Sequence, residues 1–260
     1  MLTSDGVVVE SGLDGAALKP TECSLSAATT LPFDHLILDW EGREHFPDED
    51  ALVDLSASAS VRVTTPVRAD GFDPLGDDDW LTAIPEGVGR VLVAGHPAYL
   101  TDEERRRAVA PRLGAATKSD RDAWVGSESI ERIALATGNT QFELLSPTTE
   151  RDCRALRAAG FDGELAVYAP TVFSDDDDHL LDAIGSYVAR RGTVARALPD
   201  GFKTDATVTG RPRNTLLSAS TDYALVGPTD TISERIAALK NAGVDYVIGY
   251  PAGGIEEFLR

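Results

Sequence analysis

Cysteine is almost absent. Cys23 and Cys153 are the only two in 260 residues, too few for a disulfide framework or a cysteine-built metal centre. Lysine is nearly as scarce, at positions 19, 118, 203 and 240, and arginine supplies most of the positive charge. With 43 acidic residues against 24 basic ones, the net charge is −19. No basic cluster is available to neutralise phosphates, which argues against nucleic acid and anionic membranes as partners. Arg105, Arg106 and Arg107 form the densest basic run. They follow Asp102, Glu103 and Glu104, so a salt-bridged solvent face is expected there. No apolar run approaches about 18 residues, and no membrane-spanning helix is expected. Residues 1–6 lack the basic start of a signal peptide. The histidines at 35, 45, 96 and 179 are scattered. No paired-histidine zinc motif, P-loop, Gly-x-Gly-x-x-Gly or Gly-x-Ser-x-Gly occurs. A soluble, cytoplasmic protein without a metal site is the expectation.

What is present is clearest near the end. Residues 223–226 form a short apolar run, and a turn and a helical pattern over 230–242 follow. Ile232, Ile236 and Leu239 recur there at helical spacing. Thr229 or Asp230 is placed to cap that helix and Gly243 to end it. Residues 244–248 are almost continuously apolar, as a parallel strand covered on both faces requires. A glycine-rich loop over 249–254 closes the unit. The same grammar runs through residues 155–170: helix end, Gly160, strand, then Tyr168 and Pro170. α/β folds reuse this unit, so two copies do not make a repeat protein.

Taken in order, residues 1–33 are weakly patterned, with one short strand expected at 7–10. Strands are expected at 35–40, 60–66, 89–94, 115–118, 130–136, 142–146, 165–168, 223–226 and 245–249. Helices are expected around 48–55, near Trp80, after the Thr101–Glu104 capping box, at 149–159 and at 175–191. Residues 192–221 read as polar and irregular. A count near eight, with helices between most strands, predicts one (β/α)8 TIM-barrel domain over residues 1–260. An open doubly wound sheet is the alternative. One join resists: about five residues between the fifth and sixth strands are too few for a parallel crossover.

Three stretches resemble the luciferase-like flavin and deazaflavin (F420)-dependent oxidoreductases. The first is Leu145-Ser-Pro-Thr-Thr-Glu-Arg-Asp-Cys-Arg-Ala-Leu with Gly160-Phe-Asp-Gly. The second is Ala166-Val-Tyr-Ala-Pro-Thr-Val-Phe-Ser-Asp-Asp-Asp. The third runs from Val226-Gly-Pro-Thr-Asp to Tyr250-Pro, with Pro and Thr swapped relative to the family's order. The likeness covers roughly the last 115 residues. It implies a TIM barrel that binds F420 or FMN and transfers a hydride to a small organic substrate. A homo-oligomer is compatible with it. Rival readings are a degenerate, non-catalytic barrel serving as a binding or assembly subunit, and a phosphate-binding lyase or isomerase using Lys118 or His96.

In a barrel, residues just past the strand carboxyl ends line the active face. That rule nominates His96 as a proton-transfer group. It nominates Thr65, Arg68, Ser146, Tyr168 and Tyr250 as cofactor-binding positions. Gly253 and Gly254 are expected to bare backbone N–H groups for a phosphate at the start of a closing helix. Asp39 and Glu41 flank Trp40 and are read as pointing to opposite sides, so no two-carboxylate site is expected.

The acid-rich, lysine-poor composition resembles that of proteins from salt-accumulating halophiles, in which salt screens the repulsion of a carboxylate surface. The thermal midpoint should therefore rise between dilute buffer and molar potassium chloride. A midpoint no higher in salt would remove the halophilic reading.

Overall fold

The computed structural model describes residues 6–126, 136–199 and 201–259. Among these residues lie β1 (Gly15–Leu18), β2 (His35–Leu38), β3 (Ser60–Pro66), β4 (Gly89–Val93), β5 (Trp124–Gly126), β6 (Gln141–Leu144), β7 (Leu165–Val172), β8 (Leu225–Val226) and β9 (Tyr246–Pro251). Strands β1 to β7 pair in succession, β7 pairs with β9, and β9 returns to β1, all parallel. Eight strands thus close on themselves, with helices between them, as a (β/α)8 TIM barrel. The alternative of an open doubly wound sheet fails, since such a sheet has two free edges and this cycle has none. β8 stands outside the cycle, paired with Thr171 and Val172 at the end of β7.

The resistant join resolves in favour of a parallel crossover. β5 comes earlier than expected, and Val125 pairs in parallel with Gln141. The strand expected at 130–136 lies, apart from Ala136, outside the described residues.

Alternation along each strand divides the apolar residues between two compartments. Ala16, Leu18, Leu36, Leu38, Val61 and Val63 face outward into the core shared with the helices. Ala17, Ile37, Val91, Trp124, Phe142, Ala166, Tyr168 and Ile248 fill the barrel, so its interior is packed rather than hollow. The amino-terminal end is plugged by polar and aromatic groups. The Arg62 guanidinium lies 4.2 Å from the Trp124 ring centroid. The His35 ring lies 4.6 Å from Tyr246, whose ring stacks on Trp124 at 5.6 Å. His35 Nδ1 has no hydrogen-bond partner among the described residues.

Several expectations are corrected. Residues 7–10 belong to a helix, Val7–Ser11, although three are valines. Packing against the Thr229–Asn241 helix overrides their strand preference. Residues 115–118 lie in the helix Val109–Ser119, which buries Leu113 and Ala116 at helical spacing. The Thr229–Asn241 helix has Pro228 at its N-cap and no side-chain cap, so neither Thr229 nor Asp230 caps it. Residues 192–221 are not irregular. They contain the helices Gly192–Ala197 and, in part, Gly210–Tyr223.

Those two helices and Asp177–Ala189 form an insertion between β7 and β8, with its own apolar cluster including Leu181, Val188, Val194, Leu216 and Ala219. Gly185 lets the first helix pass tightly over the loop, because a Cβ there would lie 1.8 Å from the Thr204 carbonyl oxygen. Gly185→Ala should cost about 1–3 kcal/mol by overpacking, read as a lowered denaturation midpoint.

Burial, then the nearby Arg62 charge, holds the His35 pKa below its usual 6.5. Below that value the unfolded chain takes up a proton that the folded chain resists. His35 therefore lowers stability as the pH drops through 6.5. His35→Phe should flatten that part of the stability–pH curve relative to the parent. Superimposable curves between pH 5 and 8 would show that the plug does not titrate.

Candidate functional site

The carboxyl ends of β1, β2, β4, β7 and β9 gather a polar cluster at one mouth of the barrel. β1 delivers Lys19, whose ammonium donates to the Tyr250 hydroxyl at 2.9 Å and to Glu22 Oε1 at 3.0 Å. The same ammonium lies 4.1 Å from the Tyr250 ring centroid. The Tyr250 hydroxyl donates to Glu22 Oε2. Tyr250 stacks on Tyr168 at 5.9 Å and 15°, so β7 and β9 present two parallel phenol rings. Glu41 is buried and ties three loops together. It accepts from the Thr21 N–H at 2.9 Å, the Thr21 hydroxyl at 2.7 Å and the Tyr99 hydroxyl at 3.4 Å.

Asp39 lies just past β2. Its own N–H donates to the Leu18 carbonyl at 2.8 Å, and the next N–H, of Trp40, donates to Thr64 Oγ1 at 2.6 Å. The backbone is therefore fixed on both sides, while the Asp39 carboxyl makes no hydrogen bond among the described residues. Burial pushes its pKa up to about 7, with Glu41 and Glu22 adding to the rise and Lys19 opposing it. A carboxyl half-protonated near neutral pH can give or take a proton there. Burial and Asp39 together hold the Tyr168 phenol well above its usual value, and burial and Glu22 do the same for Tyr250. Both phenols stay protonated and act as donors.

The insertion stands beside this mouth, its helix Gly210–Tyr223 facing Ser146 and Thr148 past β6. Arg191 stacks on the rings of Tyr187 and Tyr223, 4.1 and 5.6 Å from their centroids. Beside the mouth runs an open groove of about 700 Å³. Arg211, Asn214, Thr215, Ser218 and Asp222 on one face of Gly210–Tyr223 line it, opposite Ser146 and Thr148.

The sequence-derived positions divide accordingly. Tyr168 and Tyr250 form the wall of the mouth. His96 stands exposed past β4 and caps a short 3-10 turn, its Nδ1 accepting the Ala98 N–H at 3.2 Å. Ser146 follows β6 and lines the groove, its hydroxyl 3.1 Å from that of Thr149. Arg68 reaches the β4 loop but donates to the carbonyls of Ala94, Gly95 and Arg105. Thr65 is fully buried on the outer side of β3, its hydroxyl accepting from Arg90 Nε at 3.3 Å, and the inward hydroxyl is that of Thr64. Gly253 is backed by a carboxylate, since a Cβ there would lie 2.2 Å from Glu257 Oε1. Gly254 precedes a three-residue 3-10 turn, Ile255–Glu257, rather than a helix with a useful dipole. Lys118 lies exposed on the Val109–Ser119 helix, away from the strand ends.

Sequence reading missed Lys19, Glu22, Asp39 and Glu41 as a group. The separation of Asp39 from Glu41 was an error of periodicity, because residues two apart on a strand point the same way. β2 in any case ends at Leu38. The signal that could have found them is the placement of Lys19, one of four lysines, just after a short apolar run.

Among the described residues no helix is long and apolar enough to cross a membrane, and no cluster of three His, Cys, Asp or Glu could hold a metal. The chain is similar to the structure of an F420-dependent secondary alcohol dehydrogenase in complex with an F420-acetone adduct. The TM-score is 0.56 and the identity 12%, over 92% of this chain and 94% of that one. At that identity the likeness speaks for the barrel fold alone. No curated protein matches the sequence. The family of unknown function DUF7388 matches residues 8–258, nearly the whole chain, and the protein belongs to that family.

Proposed function

We propose that the carboxyl-terminal mouth is an oxidoreductase site that binds F420 or FMN and acts on a small organic substrate. The observation that carries the reading is Asp39, just past β2 with the backbone held on both sides, a carboxyl with no hydrogen-bond partner among the described residues and a pKa that burial pushes up to about 7. The similarity of fold to an F420-dependent dehydrogenase agrees with it.

The residues present fit such a cofactor in two respects. The Tyr168–Tyr250 pair offers a flat aromatic wall for a ring system. The Ser146–Thr148 turn leads into the helix Thr149–Ala158, whose first turn has no side-chain cap. Its N–H groups, with Arg211 across the groove, suit a phosphate. Gly253 and Gly254 do not, for the Glu257 carboxylate already occupies that loop.

A bound flavin or deazaflavin supplies the hydride chemistry. Asp39 moves the accompanying proton at the substrate oxygen. Tyr168, as a protonated phenol, holds the polar edge of the ring or substrate, while the Tyr250 ring, its hydroxyl already engaged by Glu22 and Lys19, excludes water. Lys19 and Glu22 hold the Tyr250 hydroxyl in place.

Titration with F420 and with FMN, followed by fluorescence, tests the reading, and one of the two should bind at micromolar concentration or below. Failure of both would favour the non-catalytic barrel. In the reductive direction, activity should fall as the pH rises through about 7, where Asp39 loses its proton. Asp39→Asn should retain cofactor binding but lose about 10²-fold in kcat at low pH, with a flat profile.

Stability provides a second readout. The folded value of Asp39 lies above the unfolded one, so its favourable contribution is complete below about pH 4 and fades as the pH rises to 7. Asp39→Asn should therefore stabilise the protein at pH 8 by on the order of 1–2 kcal/mol.

A further inference from the structure

We infer that Lys19 is a catalytic residue of the mouth, its ammonium holding the reacting oxygen of the substrate against the Asp39 carboxyl. The inference rests on reading the mouth as a substrate site and deepens it by naming the pair of groups that receives this oxygen.

The placement follows from strand register. β1 and β2 pair from Gly15 with His35 to Leu18 with Leu38. The ladder continues one step further, because the Asp39 N–H donates to the Leu18 carbonyl at 2.8 Å. Lys19 therefore stands opposite Asp39, on strands about 4.8 Å apart. Leu18 and Leu38 face the outer core and Ala17 and Ile37 the barrel interior, so alternation turns Lys19 and Asp39 together to the inside. The contact of Lys19 with Tyr250 agrees with that direction, since Tyr250 packs against the interior cluster. Yet the two neighbours are not bonded to each other. An ammonium has three N–H donors. The Tyr250 hydroxyl takes one at 2.9 Å and Glu22 another at 3.0 Å. Among the described residues the third is unspent, and the Asp39 carboxyl accepts and donates nothing. Glu41, the other carboxylate here, is already engaged by Thr21 and Tyr99.

An oxygen seated between the two groups receives one hydrogen bond from Lys19 and one from Asp39, beside the Tyr168–Tyr250 wall. In the reductive direction the carbonyl carbon of the substrate accepts a hydride from the reduced flavin or deazaflavin. The C=O electron pair moves to the oxygen, and Asp39 gives that oxygen its proton and becomes a carboxylate. Lys19 keeps all three of its protons. Its charge meets the negative charge that develops on the oxygen, an interaction stronger in the transition state than in the substrate.

p-Nitrophenol is a suitable probe, for its flat ring suits the tyrosine wall, its oxygen can carry the charge of the transition state, and its ionised form is yellow. It is added to the cofactor-free protein at constant ionic strength and pH 6, where Asp39 keeps its proton. The wild type should bind it saturably and raise its ionised fraction above that of the free probe. Lys19→Gln keeps an N–H donor for Tyr250 but removes the charge. It should bind the ionised form about tenfold more weakly, the loss expected for one charge-assisted contact. Lys19→Arg, which keeps the charge, should retain most of the ionisation. Lys118→Gln, on the Val109–Ser119 helix, should behave as the wild type. An unchanged ionised fraction in the wild type, an undiminished response in Lys19→Gln, or equal losses in Lys19→Gln and Lys19→Arg would each overturn the inference. The outcome is separable from the cofactor reading. A protein that binds F420 or FMN but leaves the probe un-ionised refutes this inference alone. One that ionises the probe through Lys19 but binds neither cofactor supports it and removes the oxidoreductase assignment.

Discussion

The seam between β9 and β1 is the constraint on which the molecule depends. Only two residue pairs join these strands, Gly15 with Ile248 and Ala16 with Gly249. Both glycines are there for space. A Cβ on Gly15 would lie 2.4 Å from the His35 carbonyl oxygen, and one on Gly249 would lie 2.9 Å from the Leu13 side chain. Asp14 reinforces the short ladder by accepting the Val247 N–H at 2.6 Å and pairing with Lys240 at 2.7 Å. Without this seam the sheet would have two edges, and Lys19 and Tyr250, which follow or end those strands, would not meet.

Closure determines the chemistry of the mouth. A parallel barrel brings every strand's carboxyl end to one rim, so residues 231 positions apart, Lys19 and Tyr250, become hydrogen-bonded partners. The loop after β1 is then tied to those after β2 and β4 through Glu41 and Tyr99. The four-ring cluster of Trp40, Phe46, Phe72 and Trp80 fills the space behind, with edge-to-face contacts such as Trp40 on Phe72 at 5.0 Å. That support limits the freedom of Asp39 to move toward water. A carboxyl able to relax outward would keep its ordinary acidity. One fixed at both backbone N–H groups, with two other carboxylates nearby, does not.

How much was legible follows from where the signal resides. The strands β3 and β4, the Thr101–Glu104 capping box and the closing βα unit depend on local pattern, and all are present in the fold. β1 was invisible because Gly15, Ala16, Ala17 and Leu18 are all buried. A strand with no alternation and two alanines carries little propensity of its own. The Gly210–Tyr223 helix was missed for the opposite reason: it buries only Leu216, Ala219 and Ser220, too narrow a stripe to stand out. Tyr168 and Tyr250 were found through the shared unit. Asp39, Glu41 and Lys19 were not grouped, because their meeting depends on closure and not on spacing.

The charge of the chain gives the mouth its meaning. An acid-rich surface makes anions unwelcome almost everywhere, so any cation left unneutralised is informative. Most arginines here are consumed by structure. Arg107 and Arg112 pair with the buried Asp73, Arg157 bridges Asp245 and the loop carbonyls of Phe161, Gly163 and Gly243, and Arg213 pairs with Asp178. Those pairs hold loops and helices to the barrel. At the mouth the balance differs. Glu22 is matched by Lys19, Glu41 is satisfied by neutral donors, and Asp39 keeps its proton to about pH 7. The same raised pKa that makes Asp39 a proton carrier also keeps its charge from opposing an anion at the mouth.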